Sequence, residues 1–162
     1  MHQFKRRRNT SDYIMVQYVP PVSFMYYGEN SLETFREDIL NFCDENTPII
    51  FVGDFNARTG SIPDNLEIDL NFDYAEMEQS EFRARNNCDE IVTTQGKNLV
   101  NILVGRNLRI MNGRTNGDSL GNFTTFKNLH TTVNDFGMVS ENIFSEVENF
   151  FVLPQTVYSD HA

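Results

Sequence analysis

Cysteine is scarce: Cys43 and Cys88 are the two in 162 residues. Two thiols without paired spacing fit neither a disulfide framework nor a zinc cluster, so the chain reads as an intracellular protein with reduced thiols. Long apolar runs are missing as well. No stretch approaches the ~20 residues that a membrane helix needs, no signal-peptide pattern is visible, and no membrane partner is expected. Basic residues are few, 13 Lys and Arg against 23 Asp and Glu, for a net charge of −10. Phosphate binding normally draws on cations, so this balance counts against a nucleic-acid enzyme. The deficit is local, however. Between Asp64 and Glu90 stand nine acids against Arg83 and Arg85, and the mildly acidic remainder does not exclude DNA. Internal repeats and linker-like stretches are also lacking, and the length suggests one domain. What is plentiful is apolar: 40% hydrophobic residues, with 14 Phe and 6 Tyr, enough to build a core and to exclude wholesale disorder.

Residues 1–12 are polar and carry Lys5, Arg6, Arg7 and Arg8 in a row. Such a run reads as a nuclear-localisation or nucleic-acid patch or as a disordered basic leader, and the leader is the expectation adopted. Residues 13–19 mix apolar and β-branched side chains as a strand does, and Pro20-Pro21 stops them because proline cannot continue a central ladder. Asn30 with Glu33 forms a capping-box pattern. Leu32, Phe35, Ile39 and Phe42 then fall on one helical face, with the end near Asn46. Residues 48–52 are a buried-strand run. Strand, helix, strand predicts a layered α/β unit. Residues 60–87 are expected as a long acidic loop. Residues 95–104 are expected as a helix burying Leu99, Ile102 and Leu103. Strands are predicted at 108–111, 123–126, 132–140 and 148–153.

The chemistry concentrates at Gly53-Asp54-Phe55-Asn56, directly after the buried run, and at Ser159-Asp160-His161. Alternation on an extended strand end places Asp54 and Asn56 on one face and Phe55 in the core. A carboxylate and a carboxamide side by side can hold a water and a phosphate oxygen. Asp160-His161 adds a second carboxylate and an imidazole that titrates near neutrality. Asp135, inside an apolar strand, needs a partner, because a lone buried carboxylate is costly. These are the parts of a metal-assisted phosphodiester hydrolase. His2 and His130 match nothing and are expected at the surface. Arg58 and Arg114 are possible phosphate contacts, left outside the site.

Several blocks in order carry a resemblance: Tyr18-Val19-Pro20-Pro21; Gly53-Asp54-Phe55-Asn56-Ala57-Arg58-Thr59-Gly60; Leu108-Arg109-Ile110-Met111-Asn112-Gly113-Arg114; Asn122-Phe123-Thr124-Thr125-Phe126; Val133-Asn134-Asp135-Phe136 with Val139-Ser140; and Ser159-Asp160-His161. Over residues 13–162 the chain resembles the endonuclease/exonuclease/phosphatase (DNase I-like) superfamily, and within it the endonuclease domain of non-LTR retrotransposons, which is fused to a reverse transcriptase. The resemblance implies a four-layer α/β sandwich, two packed mixed sheets flanked by helices, and Mg²⁺- or Mn²⁺-dependent hydrolysis of DNA. It implies that Asp54 positions or deprotonates the attacking water, that Asn56 bonds the scissile phosphate and that Tyr18 orients it. Asp160 would lie at the metal. His161 would protonate or stabilise the transition state, with Asp135 fixing its tautomer. The alternatives are a non-catalytic interaction module and a phosphoesterase acting on a substrate other than nucleic acid. The superfamily's N-terminal Asn and metal-binding Glu have no counterpart, so the sandwich is expected to be incomplete on its N-terminal side and turnover impaired. Gly137 replaces a bulky strand residue, and His161 is expected to be loosely held near Ala162.

Overall fold

The computed structural model describes residues 2–5, 11–22, 31–42, 47–65, 84–127 and 130–162. Its elements run β1 (His2–Lys5), β2 (Ser11–Tyr18), α1 (Ser31–Phe42), β3 (Ile49–Asp54), α2 (Thr94–Val104), β4 (Leu108–Ile110), β5 (Thr125–Lys127), β6 (His130–Thr132), β7 (Asp135–Ser140) and α3 (Glu141–Phe144). Strands and helices therefore mix as expected for α/β. Five strands form one sheet in the order β1-β2-β3-β7-β4, and β5-β6 form a separate pair. The sheet is mixed: β2 and β3 are parallel, and the other neighbours are antiparallel.

One sheet face carries the main core. Ile49 and Phe51 of β3, Phe136 and Met138 of β7, and Leu108 and Ile110 of β4 pack against Leu32, Phe35 and Ile39 of α1 and Leu99, Val100 and Leu103 of α2. Phe35 meets Phe51 and Phe55 edge-on, with ring centroids 5.2 and 5.1 Å apart, a favoured aromatic geometry. Helix α2 begins where Thr93 accepts a bond from the Gly96 N–H at 3.1 Å, an ordinary N-cap. The opposite face holds a smaller cluster of Met111, Val139 and Ile143, backed by Phe144, Val147 and Phe150. Val16 and Tyr18 on that face are exposed. No helix among the described residues is long and apolar enough to cross a membrane.

Several expectations are corrected. The expected leader contributes β1, which pairs with β2, and β2 itself begins at Ser11. Arg6, Arg7 and Arg8 lie outside the described residues. So do Asn30, the expected end of α1 near Asn46, and residues 66–83 of the acidic loop. Phe42 is exposed at the last position of α1, whereas Leu32, Phe35 and Ile39 are buried. The single strand expected at 132–140 is two. Val133 and Asn134 give their N–H groups to the side chains of Asp89 and Thr124 rather than to a ladder, which breaks the strand ahead of β7. Residues 148–153 are not a strand; Phe150 instead lays its ring on Gly137. The short helix α3 was not expected.

Candidate functional site

The ladder aligns the candidate residues. Tyr18 of β2 pairs with Asp54 of β3, and Asp54 pairs with Asp135 of β7. Directly opposed residues present their side chains to the same face, so Tyr18, Asp54 and Asp135 form one row across three strands. The strands stay paired past this row, with the Val19 N–H donating to the Asp54 carbonyl at 2.8 Å. Gly53 permits the approach there: it adopts φ +153°, and a Cβ on it would lie 1.8 Å from the Gln17 carbonyl oxygen on β2.

Asn56 reaches Asp54 differently from strand alternation. It takes φ +46°, a left-handed conformation that asparagine tolerates better than most residues. Its backbone N–H donates to Asp54 Oδ1 at 2.9 Å, and its Nδ2 donates to Asp54 Oδ2 at 3.0 Å and to the Val19 carbonyl at 3.0 Å. The turn thus locks the Asp54 carboxylate, and Phe55 between the two is fully buried as expected.

His161 arrives from the far end of the sequence and is firmly placed, contrary to the expectation of a loosely held side chain. Its segment adds to β5: Thr125 bridges to His161, Phe126 N–H donates to the Asp160 carbonyl at 2.7 Å, and Ala162 N–H donates to the Thr124 carbonyl at 2.8 Å. Nδ1 of His161 lies 3.1 and 3.0 Å from the two Asp135 oxygens. Thr125 Oγ1 donates to Asp135 Oδ2 at 3.2 Å, and Thr124 Oγ1 accepts the Asp135 N–H at 3.0 Å.

Asp54, Asp135 and His161 each offer a donor atom, all within 4.8 Å of one another. Two carboxylates and an imidazole are a donor set that fits a divalent ion. Asp160 is exposed and is not one of the three, although it lines the adjoining cleft. That cleft, about 340 Å³, is also lined by Asn56, Thr125, Lys127, His130 and His161.

The electrostatics follow from the crowding. Burial pushes the Asp54 carboxyl up, and the Asp135 charge adds to this; the hydrogen bonds from Asn56 and the charge of His161 offset part of it. Partial burial works against a charged His161 imidazole. The Asp135 hydrogen bond and the charges of Asp135, Asp54 and Asp160 outweigh that, and its pKa is raised above the ordinary value.

The structure therefore brings together Asp54, Asn56, Asp135 and His161, sets Tyr18 in the same row and leaves Asp160 at the cleft rim. The sequence reading missed Thr124, Thr125, Lys127 and His130. The first two stood inside a recognised block but had no role, and His130 was expected as an idle surface residue. Arg58 and Arg114 are engaged within the protein: Arg58 pairs with Asp89, and Arg114 is buried against Asp64. No protein-family model matches the chain, and no curated protein is significantly similar to it.

Proposed function

We propose that this cleft hydrolyses a phosphodiester bond of DNA with the help of Mg²⁺ or Mn²⁺. The observation that carries the reading is convergence: Asp54, Asp135 and His161, from separate parts of the sequence, place donor atoms within 4.8 Å. The four-layer sandwich belongs to the same proposal and is supported by the mixed sheet with α1 and α2 on one face.

Asp54 and Asp135 would hold the ion, with Asp160 nearby adding negative charge and the His161 imidazole beside them kept for proton transfer. When bound, the ion supplies Lewis acidity and neutralises charge on the phosphoryl oxygens. The chain's own groups do the rest. Asp54, its pKa raised and its oxygens fixed by Asn56, orients the attacking water and draws its proton. With Nδ1 committed to Asp135, Nε2 is the His161 nitrogen left to donate a proton to the leaving oxygen. The raised pKa keeps more of that imidazole protonated at neutral pH. Tyr18, in the same row, would orient the phosphate, whereas Asn56, with both amide hydrogens given to Asp54 and Val19, acts by holding Asp54 rather than by bonding the phosphate.

A supercoiled-plasmid nicking assay tests this. Nicking is expected with Mg²⁺ or Mn²⁺, is abolished by EDTA, and falls at least about a hundredfold in Asp54→Ala and His161→Ala, the scale of losing a general acid or base. Nicking that persists in both variants sinks the assignment.

One observation favours a second reading, a small phosphodiester as substrate. Arg58, Arg85, Arg109 and Arg114 are all spent on internal hydrogen bonds, and Lys127 is the lysine that lines the cleft. Hydrolysis of bis(p-nitrophenyl) phosphate, without plasmid nicking under the same conditions, selects it.

A further inference from the structure

Asp89 lies outside the acid–histidine group and is 3% exposed. Its carboxylate is nonetheless fully engaged. Arg58 Nε donates to Oδ2 at 2.7 Å and Arg58 Nη2 to Oδ1 at 2.5 Å, the two-pronged geometry particular to guanidinium. The Ile91 N–H donates to Oδ1 at 3.1 Å, and the Val133 N–H to Oδ2 at 3.2 Å.

These donors come from three separate segments. Arg58 stands two residues beyond Asn56. Val133 stands two residues before Asp135. Ile91 leads to Thr93, the N-cap of α2. The Arg58 backbone is seated on the same cap: its carbonyl accepts the Thr93 N–H at 2.9 Å, and its N–H donates to Thr93 Oγ1 at 3.3 Å. The β3–β7 ladder ends at the Asp54–Asp135 pair. Past it, one backbone bond, from the Phe55 N–H to the Asn134 carbonyl at 2.9 Å, continues the tie. Asp89 supplies the next one, between the turn that carries Asn56 and the segment that delivers Asp135.

We propose that Asp89, gripped by Arg58, is a positioning residue for the cleft. It fixes the Asn56 turn against the approach to β7 and so sets the spacing of Asp54, Asp135 and His161. The metal arm of the test rests on the hydrolase reading, and the spectroscopic arm does not.

The variants are Asp89→Asn, which keeps the shape but sets an amide N–H₂ against a donor, and Arg58→Lys, which keeps the charge and loses the fork. Leu103→Ala, deep in the α2 core, is the control for destabilisation alone. Each is measured as the full chain, below the lowest melting temperature of the set, for Mn²⁺ affinity by calorimetric titration and for the His161 imidazole N–H resonance by ¹⁵N-edited NMR. Asp89→Asn is expected to weaken Mn²⁺ binding by about tenfold, the lower end for a group that orients metal ligands, and to move the imidazole resonance. Arg58→Lys moves both in the same direction and by less, and it carries the test if Asp89→Asn does not fold. Leu103→Ala melts lower and changes neither. Wild-type Mn²⁺ affinity and an unmoved resonance in folded Asp89→Asn or Arg58→Lys would overturn the proposal. A native chain that binds no Mn²⁺ sinks the metal reading instead, and the imidazole resonance then decides the positioning role by itself.

Discussion

Asp54, Asp89 and His161 are three titratable groups whose environments push them in different directions. Folding raises the His161 pKa because the hydrogen bond and charge of Asp135, with help from Asp54 and Asp160, outweigh partial burial. A raised value means that the folded state binds the proton more tightly. The contribution to stability is then complete below the unfolded value of about 6.5 and is lost as pH rises through the higher folded value. Asp54 has the same sign, because burial raises it, and its contribution fades above about 3.9. Asp89 is opposite: burial opposes its charge, but the bonds from Arg58, Val133 and Ile91 outweigh burial and hold it below the usual range. Its contribution is present above about 3.9 and is lost as pH falls through its folded value. Asp54 and Asp89 therefore oppose each other on the acid side, and the neutral window belongs to His161. The expected outcome is a melting temperature that declines from about pH 6.5 upward, with the decline flattened in His161→Ala. Melts at intervals of half a pH unit decide it. A neutral-range decline identical in the variant would remove His161 as its source.

At the scale of the element, the two glycines of the central strands separate backbone limits from side-chain limits. A Cβ on Gly53 would sit 1.8 Å from the Gln17 carbonyl oxygen, part of a paired strand that cannot move without opening the ladder. A Cβ on Gly137 would meet the Phe150 ring at 2.5 Å and the Met111 methyl at 2.6 Å. Both of those are ends of side chains. Gly137→Ala is thus expected to cost about 1–3 kcal/mol, the usual price of overpacking, and Phe150→Leu in the same chain should recover part of it. Gly53→Ala should cost more, and no neighbouring side-chain truncation should rescue it. Urea melts of the three variants and the double variant make the comparison, and rescue of Gly53→Ala by Phe150→Leu would contradict it. Gly137 also shows why some of the fold was legible and some was not. As a strand residue it looked like a weakness, because the ring that fills its space comes from residues 148–153, which were expected to form a strand of their own. Elements governed by local period were readable: residues 48–52 as β3, residues 95–104 as α2, and the buried Phe55 between two polar neighbours. What long-range bonding decides was not readable. Nothing near Val133 announces that its N–H goes to Asp89, so the break between β6 and β7 stayed hidden. Nothing near Ala162 announces that Thr124 and Phe126 hold His161 in place. The grouping of Asp54, Asn56, Asp135 and His161 was legible through the resemblance carried by the sequence blocks that hold them. The supporting Thr124, Thr125 and Asp89 were not, because a threonine or a buried acid signals its role only through its partner.

Across the whole molecule the same row of residues sets up an electrostatic conflict that a bound cation would resolve. Asp54 and Asp135 are neighbours on adjacent strands, so the folded sheet forces two carboxylates together. The unfolded chain does not, since the residues are far apart in sequence. His161 relieves part of the conflict, and its protonation falls as pH rises. A divalent ion that binds the folded cluster and not the unfolded chain must therefore stabilise the whole fold. At a hundred times its dissociation constant the gain is about 2.7 kcal/mol. For a chain of this length that corresponds to a rise in melting temperature on the order of 5–10 °C. The expected result is a Mn²⁺-dependent rise that EDTA reverses, that is larger at pH 8 than at pH 6 because less imidazolium then competes with the ion, and that disappears in Asp135→Asn. Asp135→Asn also tests the sign of the conflict. Without metal, removing one of the two charges offsets part of the lost His161 bond, so the apo variant should melt closer to apo wild type than the holo proteins do to each other. Calorimetric scans of both proteins with Mn²⁺ and with EDTA give all four melting temperatures. A Mn²⁺ shift of equal size in Asp135→Asn would place the ion elsewhere on this acidic chain and separate the cluster from metal binding.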